Sequence, residues 1–144
     1  RTILDEKNGP PPEVNLFNEK NNGESILNLI DKGYVKSAHD ISLGGLLVAI
    51  SKMCIRGNKG IKINKSKKLI NEIEYFFAED QGRYLIEVNK EDLKEVTKIL
   101  NKNSVHHEEL GIITQKDMII NEKTKVTIDE LKSYYTNWLS NYMS

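Results

Sequence analysis

Two adjacent glycines, Gly44 and Gly45, stand between a short polar corner and a segment that is apolar at most positions as far as Ile55. The residues before the corner, 35–38, predict a short strand, and the segment from Leu46 predicts a helix that is buried on most of its sides. A strand, a tight glycine turn and a core helix in immediate succession point backbone N–H groups at whatever lies above the turn. Any fold for this chain therefore has to start a buried helix directly beside the end of a strand.

Helices and strands alternate through the rest of the sequence. The spacing of apolar residues predicts a helix over 22–33, a strand over 60–64, a helix over 69–77, a strand over 84–88, a helix over 91–103, a strand over 104–113, a hairpin from 118–120 and 125–127, and a last helix from Ile128 that Thr127 or Asp129 can cap. This alternation predicts an α/β fold, a layered α/β/α domain with a mixed sheet.

Residues 1–12 predict a linker rather than part of the domain. Pro10, Pro11 and Pro12 follow Gly9 and exclude a helix there. A proline-rich, extended segment is typical of a spacer between domains. We therefore expect an interdomain linker, the tail of a preceding domain, over 1–12 and one domain over 13–144, with a short edge strand near 14–17. The first residue is arginine rather than methionine, which suggests a piece of a longer protein.

Composition argues against several classes of function. Lys and Arg together number 21, as do Asp and Glu, so the formal net charge is zero, whereas a nucleic-acid-binding protein needs a basic face. Cys54 is the single cysteine and lies in the apolar segment, which predicts a buried structural thiol and disfavours a thiolate metal site. No apolar run has the length of a membrane span, and no signal peptide starts the sequence. We expect a cytoplasmic protein without a nucleic-acid or membrane partner.

The polar corner before the paired glycines is the first candidate site, and its residues are His39, Asp40, Ser42, Gly44 and Gly45. Glycines permit a phosphate to approach the N-terminus of the following helix. The alternative is a structural turn in which Asp40 or Ser42 caps the helix. His39 and Asp40 are neighbours on a strand and should point to opposite faces, so they are not expected to act as a base and its orienting carboxylate.

The second candidate site follows the predicted helix over 69–77. Its polar residues Glu79, Gln81 and Arg83 are placed to hold the polar edge of a ligand. The alternative is a solvated turn in which Arg83 pairs with an acid, worth about 0–1 kcal/mol when exposed. A third polar run, 106–109, contains two histidines and two glutamates, but on a strand only two of them share a face, which is too few for a closed zinc site. The sequence therefore predicts neither metal ligands nor catalytic residues in this chain.

The last predicted helix carries several aromatic residues on roughly one face, among them Tyr134, Tyr135 and Trp138. We expect them to pack in the core or against another domain rather than to hold a cofactor.

Together the two candidate sites make a family recognisable. The run from Ala38 to Leu46, followed by the run from Phe77 to Tyr84, resembles the second C-terminal domain of the phosphoribosylformylglycinamidine synthases, in which the patterns look like H-D-x-S-x-G-G-L and F-x-E-x-Q-x-R. Other members of the aminoimidazole ribonucleotide synthetase superfamily share a similar glycine turn, so the E-x-Q-G-R stretch is what favours the purine enzyme. Leu43 departs from the family, which usually has Asp or Glu there, and this removes a carboxylate from the turn.

The resemblance implies the fold of the aminoimidazole ribonucleotide synthetase C-terminal domain and a part in an ATP-dependent amidation. In that reaction formylglycinamide ribonucleotide, ATP and glutamine-derived ammonia give formylglycinamidine ribonucleotide, with Mg²⁺ required. The implied partners are the preceding domains of the same polypeptide and a glutaminase subunit or domain. ATP, Mg²⁺ and catalytic residues belong to those preceding domains, so this chain alone is expected to be inactive and to bind neither cofactor.

On this basis the candidate residues frame the pseudosymmetric, non-turning-over half of a duplicated site. Those residues are His39, Asp40, Ser42, Gly44, Gly45, Glu79, Gln81 and Arg83. Two alternatives remain open from the sequence: a stand-alone binding or regulatory module, and another enzyme of the superfamily.

Overall fold

The computed structural model describes residues 13–63 and 71–143. The helices are α1 (Leu16–Asp31), α2 (Gly45–Gly57), α3 (Glu72–Phe77), α4 (Leu93–Lys102) and α5 (Ile128–Met143). The strands are β1 (Val35–Asp40), β2 (Gly60–Ile63), β3 (Tyr84–Val88), β4 (Gly111–Thr114), β5 (Asp117–Ile120) and β6 (Thr124–Thr127). The predicted linker over 1–12 and the first residues of the predicted helix, Leu69 and Ile70, lie outside these described ranges.

The strands divide between two sheets. A four-stranded sheet has the order β4-β2-β5-β6, in which β2 and β5 run parallel and the outer pairs run antiparallel. Strands β1 and β3 form a separate antiparallel pair. The α/β class and the mixed sheet are confirmed. The pairing of β1 with β3 matters most for function, because it places the two polar motifs side by side.

The larger core lies between α2 and the four-stranded sheet. Leu46, Ala49, Ile50 and Cys54 on one face of α2 are buried. Ile63 of β2 is buried in the same core. Burial raises the pKa of the Cys54 thiol to about 11, so this cysteine stays protonated and structural, as its apolar surroundings predict. The remaining apolar side chains of α2 are only half-buried, so the prediction of burial on most sides is wrong for its outer face.

A second, smaller core joins α1 to α4. Leu29, Val96 and Leu100 are buried in it. Ser25 is also buried, and the Asn103 side-chain amide donates a hydrogen bond to its hydroxyl oxygen at 3.0 Å. This polar contact satisfies a hydroxyl that would otherwise be costly to bury and fixes the end of α4 on α1.

Helix α1 begins earlier than its apolar pattern predicts. Asn15 caps it, since its side-chain oxygen accepts the Asn18 N–H at 3.0 Å. The predicted start at Asn22 and the predicted edge strand near 14–17 are therefore both wrong. Leu16 and Phe17 are each 75% exposed, so the first turns of the helix carry no buried apolar stripe from which a start could be read.

Only the end of the predicted strand over 104–113 forms a strand. The Val105 N–H donates to the Leu100 carbonyl at 2.9 Å, so the backbone after α4 follows a helix-terminating turn instead of a ladder. Glu108 is then held by a side-chain contact, accepting the Tyr75 hydroxyl at 2.9 Å. The strand starts at Gly111, where the chain pairs with β2.

The predicted hairpin and the start of the last helix are confirmed. Strands β5 and β6 are antiparallel neighbours. The Thr127 hydroxyl accepts the Glu130 N–H at 3.2 Å, and the Glu130 carboxylate accepts the Thr127 N–H at 2.8 Å, which is a reciprocal capping box. The Thr127 N–H and the Thr127 hydroxyl, which donates to Oε2 of Glu130 at 2.8 Å, together hold the pKa of the Glu130 carboxyl below its ordinary value.

The aromatic residues of α5 do not enter the core of the described chain. Tyr134, Tyr135 and Trp138 are 79%, 58% and 61% exposed. The first of the two expectations for this face, packing in the core, is therefore wrong. Packing against another domain stays a prediction.

Candidate ligand-framing cleft

The two polar motifs of the sequence meet at one cleft of about 350 Å³. It lies between the corner that follows β1 and the turn that precedes β3. The residues lining it are Glu19, Asp40, Ile41, Ser42, Leu43, Glu79, Gln81, Gly82, Arg83 and Tyr84. Five of the eight predicted site residues are in this lining, and the other three, His39, Gly44 and Gly45, are not.

The antiparallel pairing of β1 and β3 brings the motifs together. Asp40 at the end of β1 pairs with Tyr84 at the start of β3. The Ile41 N–H donates to the Arg83 carbonyl at 2.9 Å, which extends the ladder one step into the cleft. Because the strands run in opposite directions, the residues that follow one strand stand beside those that precede the other.

One hydrogen bond closes the cleft. The Gly44 N–H donates to Oε1 of Glu79 at 2.7 Å. Gly44 occupies the N-cap position of α2, and no side chain caps that helix. The alternative in which Asp40 or Ser42 caps α2 is therefore wrong. The anion at this end of the helix is a carboxylate from the second motif, a charge-assisted bond of the kind that helix N-termini favour.

Neither of the paired glycines has room for a side chain. Gly44 and Gly45 have φ values of 85° and 69°, which L side chains rarely adopt. A Cβ at Gly45 would lie 2.6 Å from the Phe77 carbonyl carbon, and one at Gly44 would lie 2.5 Å from Cγ2 of Val48. Gly45 thus lets the start of α2 lie directly on the end of α3, whereas a side chain at Gly44 would collide with Val48 of α2 itself. In this geometry they set the shape of the corner, and Glu79 takes the N–H that the sequence assigns to a phosphate.

Arg83 is paired within its own turn. Its Nη1 lies 3.4 Å from Oδ2 of Asp80 and 3.4 Å from the Ala78 carbonyl oxygen. The ion pair of the alternative reading, in which Arg83 pairs with an acid, is present in the structure. The Asp80 side chain is 59% exposed, so the pair contributes about 0–1 kcal/mol to stability.

His39 and Asp40 are closer than strand alternation predicts. Nδ1 of His39 lies 3.5 Å from Oδ1 of Asp40, and the same nitrogen contacts the backbone carbonyl of Asp40. The expectation that their side chains are kept apart is wrong for this pair. His39 is nonetheless not among the residues that line the cleft.

Helix α1 contributes a wall that the motifs do not reveal. Glu19 lines the cleft, and the Asn22 side-chain amide donates to the Gly82 carbonyl at 3.0 Å, which fixes the turn against α1. Neither residue belongs to a recognisable motif. They reach the cleft only because α1 packs on the turn. The sequence could have predicted this only if it had shown that α1 starts before Asn22.

The charge of the lining is negative. Glu19, Asp40 and Glu79 contribute carboxylates. Within residues 13–63 and 71–143, Arg83 is the only basic residue of the lining, and it already has Asp80 beside it. Such a surface repels a phosphate and attracts cationic or hydrogen-bond-donating groups. The donor set therefore does not fit the triphosphate of ATP. Among residues 13–63 and 71–143, no three His, Cys, Asp or Glu side chains converge in a way that could hold a metal ion.

Tyr75 and Glu108 anchor α3 from behind the cleft. Tyr75 is buried and packs edge-to-face on Phe76, with ring centroids 5.0 Å apart. Its burial, and then the hydrogen bond to Glu108, raise its pKa well above the ordinary value, and the charge of Arg83 opposes this shift. The contact fixes α3 and with it the turn that carries Glu79.

No helix in the part of the chain that the structure describes combines the length and the apolar character needed to cross a bilayer.

Comparison with known proteins gives consistent results. The sequence model of the family described as "AIR synthase related protein, C-terminal domain" matches residues 1–121. "Phosphoribosylformylglycinamidine synthase subunit PurL" of Pelagibacter ubique is 63% identical over 99% of this chain and 20% of its own length. The protein of the same name from Bartonella henselae is 35% identical over 99% of this chain and 19% of its own length. The chain thus spans about a fifth of the length of these curated relatives.

Solved structures show the same fold. The structure titled "T. maritima PurL complexed with FGAR" matches with a TM-score of 0.75 at 19% identity, covering 89% of this chain and 23% of that one. "T. maritima PurL complexed with ATP" matches with a TM-score of 0.70 at 20% identity, covering 80% of this chain and 22% of that one.

Proposed function

The chain belongs to the family of AIR synthase related proteins, C-terminal domain, and we propose that it is that domain of a phosphoribosylformylglycinamidine synthase. The enzyme amidates formylglycinamide ribonucleotide with ATP, Mg²⁺ and glutamine-derived ammonia in the cytoplasm. Support comes from the relative that shares 63% identity over 99% of the chain and carries this name. The titles of the solved neighbours, which name FGAR and ATP, fit the same reaction.

The observation that carries the proposal is the bond from the Gly44 N–H to the Glu79 carboxylate at 2.7 Å. It joins the two motifs that identify the family into one structural unit. In our proposal this unit frames the pseudosymmetric half of the site. The predicted residues then have different roles. Asp40, Ser42, Gln81 and Arg83 line the cleft, whereas Gly44, Gly45 and Glu79 hold its shape. His39 is not part of the lining.

ATP, Mg²⁺ and the reacting groups then belong to domains outside this chain. The negative lining of the cleft supports this division, since it disfavours a bound triphosphate. We therefore propose that the chain alone has no amidation activity and that it acts only when joined to the preceding domains of the polypeptide.

The ammonia source is a further partner in this proposal. A structure titled "Structure of PurLQS from Thermotoga maritima" matches with a TM-score of 0.71, and its title names an assembly of several components. We propose that a glutaminase subunit or domain supplies ammonia to the long enzyme. The relatives named above are all PurL subunits, which supports the synthase over a stand-alone module or another enzyme of the superfamily.

The first test is the activity of the chain by itself. With all substrates present, the 144-residue chain should give no formylglycinamidine ribonucleotide. Robust turnover would overturn the assignment of the chemistry to other domains.

The second test probes the carrying observation in the long synthase. Glu79→Gln replaces a charge-assisted acceptor by a neutral one, and a loss of about 1 kcal/mol corresponds to a roughly five-fold lower kcat/KM. Glu109→Gln is the matched control, since Glu109 is exposed and does not line the cleft. Unchanged kinetics and unchanged stability in the Glu79 variant would show that the corner is only a turn.

A further inference from the structure

Helix α5 carries an apolar seam with a strict spacing. Ile128, Leu131, Tyr135, Trp138 and Tyr142 follow one another at alternating steps of three and four residues. Steps of three and four keep side chains on one side of an α-helix and are typical of helices that pack along their whole length against a partner. The seam therefore predicts a contact along the whole of α5.

The structure satisfies only the first part of this seam. Ile128 is 4% exposed and Leu131 packs against the larger core. Lys132 beside them donates from Nζ to Oδ1 of Asn58 at 2.7 Å, which ties this end of α5 to α2. Beyond that point the seam leaves the core, and Tyr135, Trp138 and Tyr142 are 58%, 61% and 84% exposed.

The chemistry of the exposed part is that of a protein interface. From Ser133 to Met143 the sequence has no charged side chain, whereas 29% of the whole chain is charged. Tyr, Trp and Met are enriched and charged residues are depleted in the cores of protein–protein interfaces. Without Lys or Arg the face lacks what a nucleic acid or an anionic membrane surface requires. An apolar protein surface is the complement that fits.

Helix α5 lies outside the region that the family model matches but inside the region that the long relatives match. The family model ends at residue 121, before α5 begins. The Pelagibacter and Bartonella henselae relatives match over 99% of the chain, and therefore through α5. In each of them the matched part is about a fifth of the polypeptide.

We infer that the exposed seam of α5, formed by Tyr135, Trp138 and Tyr142, is an interdomain docking surface. Its occupant is an uncharged apolar surface, offered by a helix or a groove, in the part of the synthase polypeptide that lies outside these 144 residues. The inference rests on the proposed function, because that function supplies the longer polypeptide.

Photo-crosslinking in the long synthase tests this assignment. p-Benzoylphenylalanine is placed at position 138 and, as the matched control, at position 133, where Ser133 is also exposed on α5 but lies on the side of the helix opposite the seam. After irradiation, mass spectrometry of the digest should show crosslinks from position 138 to peptides outside this segment of the same polypeptide. Position 133 should give few or none.

Three outcomes would overturn the inference. They are crosslinks from position 138 between two copies of the enzyme, crosslinks to the glutaminase partner, and no crosslink from position 138 above the level at position 133. A stability comparison guards against a misfolded labelled protein. Tyr135→Ala should lower the Tm of the long synthase and leave the Tm of the 144-residue chain unchanged, and equal shifts in both would contradict docking.

Activity separates the failure of this inference from that of the proposed function. If the long protein shows the crosslink but never forms formylglycinamidine ribonucleotide, the docking surface is supported and the proposed function is contradicted. If the protein amidates its substrate without the crosslink, the proposed function is supported and the docking surface is contradicted.

Discussion

Leu29 and Ser25 of α1 are almost wholly buried against α4, whereas Glu79, whose carboxylate closes the cleft, is exposed to solvent. The α1–α4 contact is held by burial and by a hidden hydroxyl with its partner amide. The cleft corner is held by one carboxylate and by glycines that adopt a backbone conformation few residues tolerate. The difference shows that a site can be shaped by backbone geometry while the free energy of folding comes from elsewhere, so the two regions should respond differently to substitution.

The largest effect is expected in the α1–α4 core. Leu29→Ala removes a fully buried side chain and should lower the free energy of unfolding by about 3–4 kcal/mol. Leu27→Ala is the control on the same helix, because Leu27 is 63% exposed, and its effect should stay within about 0.5 kcal/mol. Urea unfolding of the chain measures both. Equal losses in the two variants would contradict the assignment of stability to this core.

Substitution of a corner glycine should destabilise the fold, because the new side chain strains the backbone there. In Gly45→Ala the new Cβ meets the Phe77 backbone at 2.6 Å and φ is 69°, so we expect a loss of about 3 kcal/mol from strain and overpacking together. Gly33→Ala isolates the conformational part, since φ is 75° there but no atom lies within 4 Å, and it should cost about 1–2 kcal/mol. If both variants lose the same stability, the contact between α2 and α3 is not tight.

A pH titration distinguishes the two cores. The Cys54 thiol in the larger core has its pKa raised from 9.0 to about 11 by burial. The folded state therefore favours the protonated thiol, and this contribution is complete below pH 9 and lost as the pH rises through 11. The two-unit difference corresponds to about 2–3 kcal/mol.

The check is the difference in unfolding free energy between the wild-type chain and Cys54→Ala. This difference should shrink between pH 9 and pH 11, the range that the shifted pKa sets. A difference that stays constant over this range would show that the thiol titrates normally in the folded chain.

The smallest effects compare the polar contacts of the two regions. Ser25→Ala leaves the Asn103 side-chain amide without its acceptor in a buried setting and should cost about 1–2 kcal/mol. Glu79→Gln removes a charge from an exposed bond and should cost about 0.5 kcal/mol or less in the isolated chain. The same urea experiment ranks them, and a larger loss for Glu79→Gln would reverse the comparison.

The helices and strands whose apolar residues recur with a clear period could be predicted from the sequence. Helix α2, strands β1 and β3 and the β5–β6 hairpin lie where alternation and helical spacing place them. Thr127 as a cap was accessible because capping depends on residues close in sequence. The start of α1 was not, since Asn15 caps a stretch whose apolar residues remain exposed. The strand over 104–113 was too long, because the tie from Tyr75 to Glu108 is a long-range contact that leaves no local pattern.

The site shows the same division. The sequence identified both motifs and offered an ion pair of Arg83 with an unspecified acid as an alternative. It could not show that the acid is Asp80 or that Glu79 reaches the Gly44 N–H. That bond depends on the register of β1 with β3 and on the contact of α2 with α3. For the same reason the sequence could not predict that Glu19 lines the cleft or that the cleft is negatively charged.

The position of β2 has a consequence for the order of folding. This four-residue strand pairs with β4 on one side and with β5 on the other, and both partners follow it only after α3, β3 and α4. During synthesis β2 therefore leaves the ribosome long before its hydrogen-bonding partners exist. Its apolar residues stay without their partner strands until the chain has been made as far as Ile120. The β5–β6 hairpin is the local contact that can form at once, and non-local pairing of this kind is slow. The larger core is thus completed by the late arrival of a hairpin, and the exposed β2 has to be protected from other chains until then.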